Sequence, residues 1–442
     1  MTPREAACEI WRSALAAAAV SPLVRQAVSR AGGRLDLAGL EAQLGRDVDR
    51  VLVLGCGKAA AAMAAAVEAA LGDAVTAGLV VVKDGHATPT ARIRVVAAGH
   101  PVPDARGETA ARRLLELARG AGERDLVLFL VSGGGSALIP APAPPVTLAD
   151  KQRVTRLLLN AGATIGELNA VRKHLSLIKG GQLARAAAPA RVVSLVLSDV
   201  IGDPLDVIAS GPTAPDRSTF ADALAVLERR GVSAGAARTV RDRLEAGRRG
   251  EVEETPKPGD PLFARVHNAV IGNNALVAEA AAARAAALGW RPHVMTRALQ
   301  GEARDVARDL VVRARALPVP SCLIASGETT VTVHGPGLGG RCQEFALAAA
   351  LAVEDDHDLV VLAAGTDGTD GPTEAAGGLV DAGSCRRAAA AGVDARAALE
   401  ANDANRFLAA GGDLVVTGPT NTNLLDLYLV LHGRAERVGD EV

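Results

Sequence analysis

Aromatic residues are nearly missing from this sequence: two tryptophans, one tyrosine and five phenylalanines in 442 residues. Small aliphatic residues and glycine take their place, and cores of that kind come from closely packed helix-on-sheet layers rather than β-sandwiches. An excess of charge of either sign is missing too. Lys and Arg number 48 against 50 Asp and Glu, a net charge of −2, without the basic surplus that nucleic acid as main partner would call for. Cysteines are few, and Cys8, Cys56, Cys322, Cys342 and Cys385 form no CxxC pair and no metal-ligand spacing, which fits a reducing cytosol. The start, with Arg4, Glu5 and Glu9, lacks the basic-then-apolar order of a signal peptide. No uninterrupted apolar run is long enough to span a bilayer. The expected setting is cytoplasmic, with neither membrane nor nucleic acid as partner.

Apolar residues make up 49% of the chain, and the length suggests two or three domains. Short runs rich in Val and Leu recur between glycines and prolines: Val51–Leu54, Gly78–Val82, Ile93–Ala98, Leu126–Val131, Val192–Leu197, Cys322–Ala325, Leu359–Ala364 and Leu414–Val416. They do not alternate, as expected of strands buried on both faces of a mostly parallel sheet. Between them Ala59–Leu71, Thr109–Ala118 and Ala275–Leu288 carry helical spacing, and the alternation predicts doubly wound α/β layers. The stretch RRGEVEETPKPGDP at Arg248–Pro261 reads as a linker or a loop close to a domain boundary. It divides the chain into expected domains 1–250 and 251–442, each with its own sheet.

Chemistry concentrates where these runs end, which in open parallel sheets is where ligands bind. The endings are Gly55-Cys56-Gly57-Lys58, Ser132-Gly133-Gly134-Gly135-Ser136, Ser198–Asp203, Ser326–Thr330, Gly365–Gly371 and Thr417–Asn423. Their Gly, Ser, Thr and Asp let backbone N–H groups approach an anion and supply oxygens to phosphate or metal. The first loop, with Ala60, fits the dinucleotide pattern G-x-G-x-x-A with Asp84 as ribose partner. It equally places Lys58 at a helix start, where a cation would neutralise a transferring phosphoryl group, or it is a tight turn. The triple glycine after Leu126–Val131 reads as an anion nest and lacks the G-x-S-x-G of a hydrolase elbow.

Asp199 and Asp203, four apart after a strand, suit Mg²⁺, which takes one or two carboxylates plus substrate phosphates; Asp203 as a helix cap is the plainer alternative. Asp367 and Asp370 present the same choice, one of the two being structural. Arg341, delivered by a run of four glycines between Gly335 and Gly340, is suited to a bidentate grip on carboxylate or phosphate. Arg172-Lys173-His174 and Lys179 form a basic cluster that reads equally as a solvated face. The other histidines make no triad or zinc pattern.

Taken together, these loops resemble the glycerate 2-kinases, the family whose C-terminal domain is called MOFRL. The matching blocks are GCGKAA at Gly55–Ala60, GHPVPD at Gly99–Asp104, SGGGSAL at Ser132–Leu138, LNAVRKHLSLIKGGQLA at Leu168–Ala184, and SDVIGD with IASGPT within Ser198–Thr213. Further on come SGETTVTVHGPGLGGRCQE at Ser326–Glu344, GTDGTDGPT at Gly365–Thr373 and GDLVVTGPTNTN at Gly412–Asn423. The resemblance implies a Rossmann-like N-terminal domain, a smaller α/β C-terminal domain and an active-site cleft between them. It also implies ATP- and Mg²⁺-dependent phosphorylation of D-glycerate at its 2-hydroxyl. Lys58 and Arg341 would then be the catalytic pair, with Asp199 binding metal or taking the hydroxyl proton. The nucleotide-binding residues would be Gly55, Gly57, Ser132, Gly133, Gly134, Gly135, Ser136, Lys173, Glu328, Thr329, Asp367, Thr420 and Asn421, and the metal ligands Asp199 and Asp203. Relatives have also been labelled hydroxypyruvate reductases, so an NAD(P)H-dependent reductase is the second reading, and assembly into a homodimer stays open. The chain departs from the usual family pattern at Cys342, where GGRNQE is expected, and at Asn421, where GPTGTN is; asparagine tolerates the left-handed turn that glycine makes there.

Overall fold

The computed structural model describes residues 1–434. They form two compact units, one of Val20–Ile271 and the other of Met1–Ala19 together with the residues from Gly272 on.

The first unit opens with a three-stranded antiparallel sheet, β1 (Val28–Ala31), β2 (Arg34–Leu37) and β3 (Leu40–Gln43). Ala38 and Gly39, both at positive φ, make one of its two-residue turns, the hairpin geometry whose twist matches the strands. Its main sheet consists of β4 (Arg50–Cys56), β5 (Val75–Lys83), β6 (Ile93–Ala98), β7 (Asp125–Val131), β8 (Arg191–Leu197) and β9 (Val266–Gly272), in the order β6-β5-β4-β7-β8-β9. Pairing from β6 through β8 is parallel. Counted along the chain this order is 3-2-1-4-5-6, that of the dinucleotide-binding α/β fold. All seven residues of β7 are buried, because helices cover both faces. Ala60–Leu71 approaches closely through Ala60, Ala61 and Ala64, and Ala105–Arg119 starts on its cap Asp104. A separate helical core forms where Leu148–Asn160 and Ile165–His174, each begun by a threonine capping box, pack with Phe220–Arg229 and Arg238–Arg248 around Val154, Leu158, Val171, Phe220 and Leu244.

The stretch Arg248–Pro261 therefore does not separate the units, and the expected break at 250/251 is displaced. Glu254 pairs with His174 at 2.8 Å and accepts the Phe220 N–H, Thr255 donates to Asp216 at 3.0 Å, and the chain goes on to form β9 before leaving the unit. Residues 1–19 also change sides. Arg4 bridges Asp381 (2.6 Å) and Asp413 (2.8 Å), while Ile10 and Trp11 are buried, so the first helix, Pro3–Ala17, belongs with the C-terminal half.

In the second unit the strands are β10 (Arg291–Leu299), β11 (Ser321–Gly327), β12 (Leu359–Gly365), β13 (Gly377–Asp381), β14 (Leu414–Val415) and β15 (Asp426–His432), ordered β10-β11-β15-β12-β13-β14. Among the described residues only β10 and β11 run parallel, which corrects the expectation of a mostly parallel sheet here. The last strand, β15, inserts antiparallel between β11 and β12. Burial on both faces produces the same unbroken Val/Leu runs whichever way neighbours point, so the runs located β11, β12 and β14 without their directions, and β10, β13 and β15 were not among them. Phe345, from the helix Arg341–Ala352 that is buried from Cys342 to Ala350, packs on Tyr428 in this core.

Candidate active site

In the first unit the strand order reverses between β4 and β7, the switch point at which α/β sheets bind ligands. The loops after these two strands are the two singled out by sequence, and they interlock. Lys58 donates its backbone N–H to the Gly133 carbonyl (2.8 Å), Ser132 donates to the Cys56 carbonyl (3.1 Å), and Ser132 Oγ accepts the Ala59 N–H (3.0 Å). Gly57 has φ +128°, and a Cβ there would overlap Ser132, so no other residue fits. The N–H groups of Gly133 and Gly134 have no partner among the described residues, which is the donor arrangement of an anion nest. Beside them His100 lies against Gly134. Burial, with the nearby Lys58 and Lys83 charges adding, pushes its pKa down to about 4, so it stands neutral at pH 7. Sequence inspection passed over His100 as one of several scattered histidines, although it sits inside the GHPVPD block. Asp84, weighed as a ribose partner, is instead held by both Nη atoms of Arg106 at 2.8 Å.

Beyond β8, Asp199 and Asp203 are half-buried in one loop. Asp203 has φ 54° in a turn whose N–H reaches the Val200 carbonyl, and the next helical turn begins only at Ile208, so it caps no helix. Among the described residues no three His, Cys, Asp or Glu side chains come together as a metal cage. Two hard carboxylates in one loop fit Mg²⁺ in the form that keeps waters and phosphates as its other ligands.

The basic cluster divides in two. Lys173, expected at the nucleotide, is 4% exposed and paired with Asp216 (3.2 Å) and Asp206 (3.6 Å). It therefore holds the unit together rather than facing a ligand. Lys179 donates to both the carbonyl and the Oγ of Ser136 at 2.7 Å, and Arg172 donates to the same Oγ. These two cations reach the last residue of the nest.

The second unit gathers its own polar cluster. The register sets Gly327, the end of β11, and Gly365, the end of β12, on either side of Asp426, the first residue of β15. Asp426, 1% exposed, accepts Arg341 Nε (2.6 Å) and Nη2 (2.9 Å) and the Tyr428 hydroxyl (3.1 Å). Arg341 Nη1 pairs with Glu328 at 3.0 Å. The fork expected to grip substrate is thus turned to a buried aspartate, and only its outer edge remains for a ligand. Thr329, another expected nucleotide contact, is buried and bonded to the Tyr428 hydroxyl through its N–H and Oγ1, which makes it a packing residue. Asp370 caps the helix Arg341–Ala352 by accepting the Cys342 and Gln343 N–H groups, and burial pushes its pKa up to about 6. It is the structural member of the Asp367/Asp370 pair. Asp367 accepts the N–H of Thr369 (3.1 Å) through its carboxylate and that of Thr420 (3.3 Å) through its carbonyl.

Comparison with known proteins ties both clusters to one family. The family profile described as a domain of unknown function, DUF4147, matches residues 6–245, and that of the MOFRL family matches residues 321–426. A D-glycerate 2-kinase of Thermotoga maritima is 44% identical over 87% of this chain and 91% of its own length. The crystal structure of a glycerate kinase from the same organism superposes with a TM-score of 0.86 at 40% identity, covering 97% of this chain and 99% of that one. The chain belongs to the glycerate kinase family. A relative from Agrobacterium vitis, 44% identical over 87% of each chain, carries a hydroxypyruvate reductase name.

The two departures from the usual glycerate kinase pattern now have physical accounts. Cys342 is fully buried in the core, so the residue there answers to packing. Asn421 is at φ 58°, the left-handed turn expected of it. What sequence inspection missed is Asp426, although LLDLYLVLH spells an apolar run with one acid inside it; nothing local marks that acid as the partner of an arginine 85 residues earlier.

Proposed function

We propose that the chain transfers the γ-phosphoryl group of ATP to the 2-hydroxyl of D-glycerate, giving 2-phospho-D-glycerate and ADP. The observation that carries this reading is the meeting of two glycine loops at the β4/β7 switch point, with open backbone donors and Lys58 beside them. Relatives named for the same reaction support it. The hydroxyl oxygen attacks phosphorus in line, the bond from phosphorus to the β,γ-bridging oxygen breaks with its electrons going to ADP, and the hydroxyl proton leaves. Gly133 and Gly134 N–H groups would hold phosphate oxygens, and Lys58 would neutralise charge growing on the transferring group. Glu328, Asp367, Thr420 and Asn421 remain candidate nucleotide contacts, and the outer edge of Arg341 a further cation for the reaction.

Asp199 and Asp203 would hold Mg²⁺, which when bound neutralises the phosphate oxygens. Asp199→Asn should then raise the Mg²⁺ concentration for half-maximal activity more than it raises KM for glycerate, since a hard-cation ligand loses its charge. An unchanged Mg²⁺ requirement with an altered kcat–pH profile would make Asp199 a base instead.

The assignment itself is tested by incubating the protein with ATP, Mg²⁺ and D-glycerate and coupling to enolase without a mutase. A direct signal means 2-phosphoglycerate, as expected. A signal appearing only after mutase is added means 3-phosphorylation and sinks the regiochemistry. The β4–β9 strand order is shared with dinucleotide enzymes, so consumption of NADH with hydroxypyruvate and no phosphorylated product would transfer the case to the reductase reading.

A further inference from the structure

Next to the nest, the first unit contains a cavity of about 380 Å³ whose wall includes the apolar Val102, Leu148 and Leu168 together with Ser136, Lys151, Arg172 and Lys179. Lys151 occupies the core-facing stripe of the helix Leu148–Asn160, in register with Val154 and Leu158. It is 6% exposed, and its Nζ has no hydrogen-bond partner. Lys179, 1% exposed, and Arg172 both end on Ser136. Among the described residues none of the three forms an ion pair with a carboxylate. Two cations on one hydroxyl, with a buried and unpartnered lysine lining the same cavity, is an arrangement that costs stability unless an anion completes it.

We propose that this cavity binds the carboxylate of the acceptor acid, held by Arg172, Lys179 and Lys151 around Ser136. The inference rests on the kinase reading and changes where the substrate is gripped. Arg341 has committed Nε and Nη2 to Asp426, whereas the cations here have only a hydroxyl and a carbonyl to satisfy them. Ser136 is also the last residue of the loop whose glycines face the phosphates, so an acid anchored here lies at the phosphate nest. Regiochemistry follows: the hydroxyl on the carbon next to the anchored carboxylate is the one held closest.

Burial holds the cavity's lysines in a state that a bound anion would reverse. Burial pushes Lys151 down to about 7, with Arg172 and Arg243 adding and Glu108 opposing. Burial likewise lowers Lys179, with Arg172 and Lys151 contributing. A bound carboxylate favours the charged ammonium, so D-glycerate binding weakens as pH rises through about 7.

The test compares wild type with Lys151→Met and Arg172→Lys. D-Glycerate is titrated calorimetrically, and KM for D-glycerate and ATP are measured in parallel from pH 6.5 to 8.5. Loss of charged hydrogen bonds should weaken D-glycerate binding roughly ten- to a hundredfold, leave KM for ATP within about threefold, and flatten the pH dependence in Lys151→Met. Because methionine removes an unpartnered buried charge, this variant should melt at the wild-type temperature or above, so its defect is not unfolding. Unchanged calorimetric affinity for D-glycerate overturns the proposal, as does a rise confined to KM for ATP, which would make this a nucleotide phosphate site. Absence of phosphoglycerate from the wild type counts against the kinase reading alone, because the calorimetric comparison still decides the cavity.

Discussion

Lys58→Ala is expected to lower kcat by about two to three orders of magnitude, the scale of losing one preorganised charge contact to a developing anion. The fold should survive. Alanine retains the backbone N–H that Lys58 places on Gly133, and the residues that lock the turn are Gly57 and Ser132. KM for ATP should change less than kcat, since the ground-state phosphates keep their backbone donors while the transition-state charge loses its counter-ion. Steady-state kinetics together with a melting curve checks this. A folded Lys58→Ala protein with near-normal turnover would remove Lys58 from the mechanism.

Arg341→Met should damage the protein in a different way. It leaves Asp426, 1% exposed, without its guanidinium partner, the Tyr428 hydroxyl still donating to it. Breaking a buried pair from one side costs about 3–5 kcal/mol, so the second unit should lose stability. Removing both partners together, as in Arg341→Met with Asp426→Leu, avoids the stranded charge and should recover most of that loss. Turnover separates the roles. If Arg341 acts on the reaction through its outer edge, the double variant folds and stays inactive. A double variant that regains both stability and turnover would leave Arg341 a structural residue only.

The legibility of these sites differs from residue to residue for physical reasons. The loops after β4 and β7 could be read directly because a nest needs residues that adopt its backbone angles, and glycine declares itself. Asn421 was legible on the same ground, its left-handed turn being a local property. The basic cluster was not, since Lys173 and Lys179 look alike in sequence. One ends on the buried Asp216 and the other on the nest serine, a difference made by residues 43 positions away. Lys151 carried a usable signal, a lysine on the apolar stripe of a capped helix, although periodicity alone cannot say that a cavity lies at its tip. The stretch Arg248–Pro261 read as a linker because charge and proline usually mark one, yet Glu254 and Thr255 are tied into their own unit.

Amino-acid order by itself therefore determined the α/β class, the positions of β4 to β8 and of β11, β12 and β14, the glycine loops that end most of them and, through the joint spacing of these blocks, the family. Those properties depend on backbone preference and on burial within a few residues. The tertiary structure alone decided strand order and direction, above all the antiparallel insertion of β15, and with it the partner of each buried charge. A cation's role is set by whichever acid, hydroxyl or cavity the fold brings within about 3 Å of it, and that contact is made between residues whose separation along the chain carries no local trace.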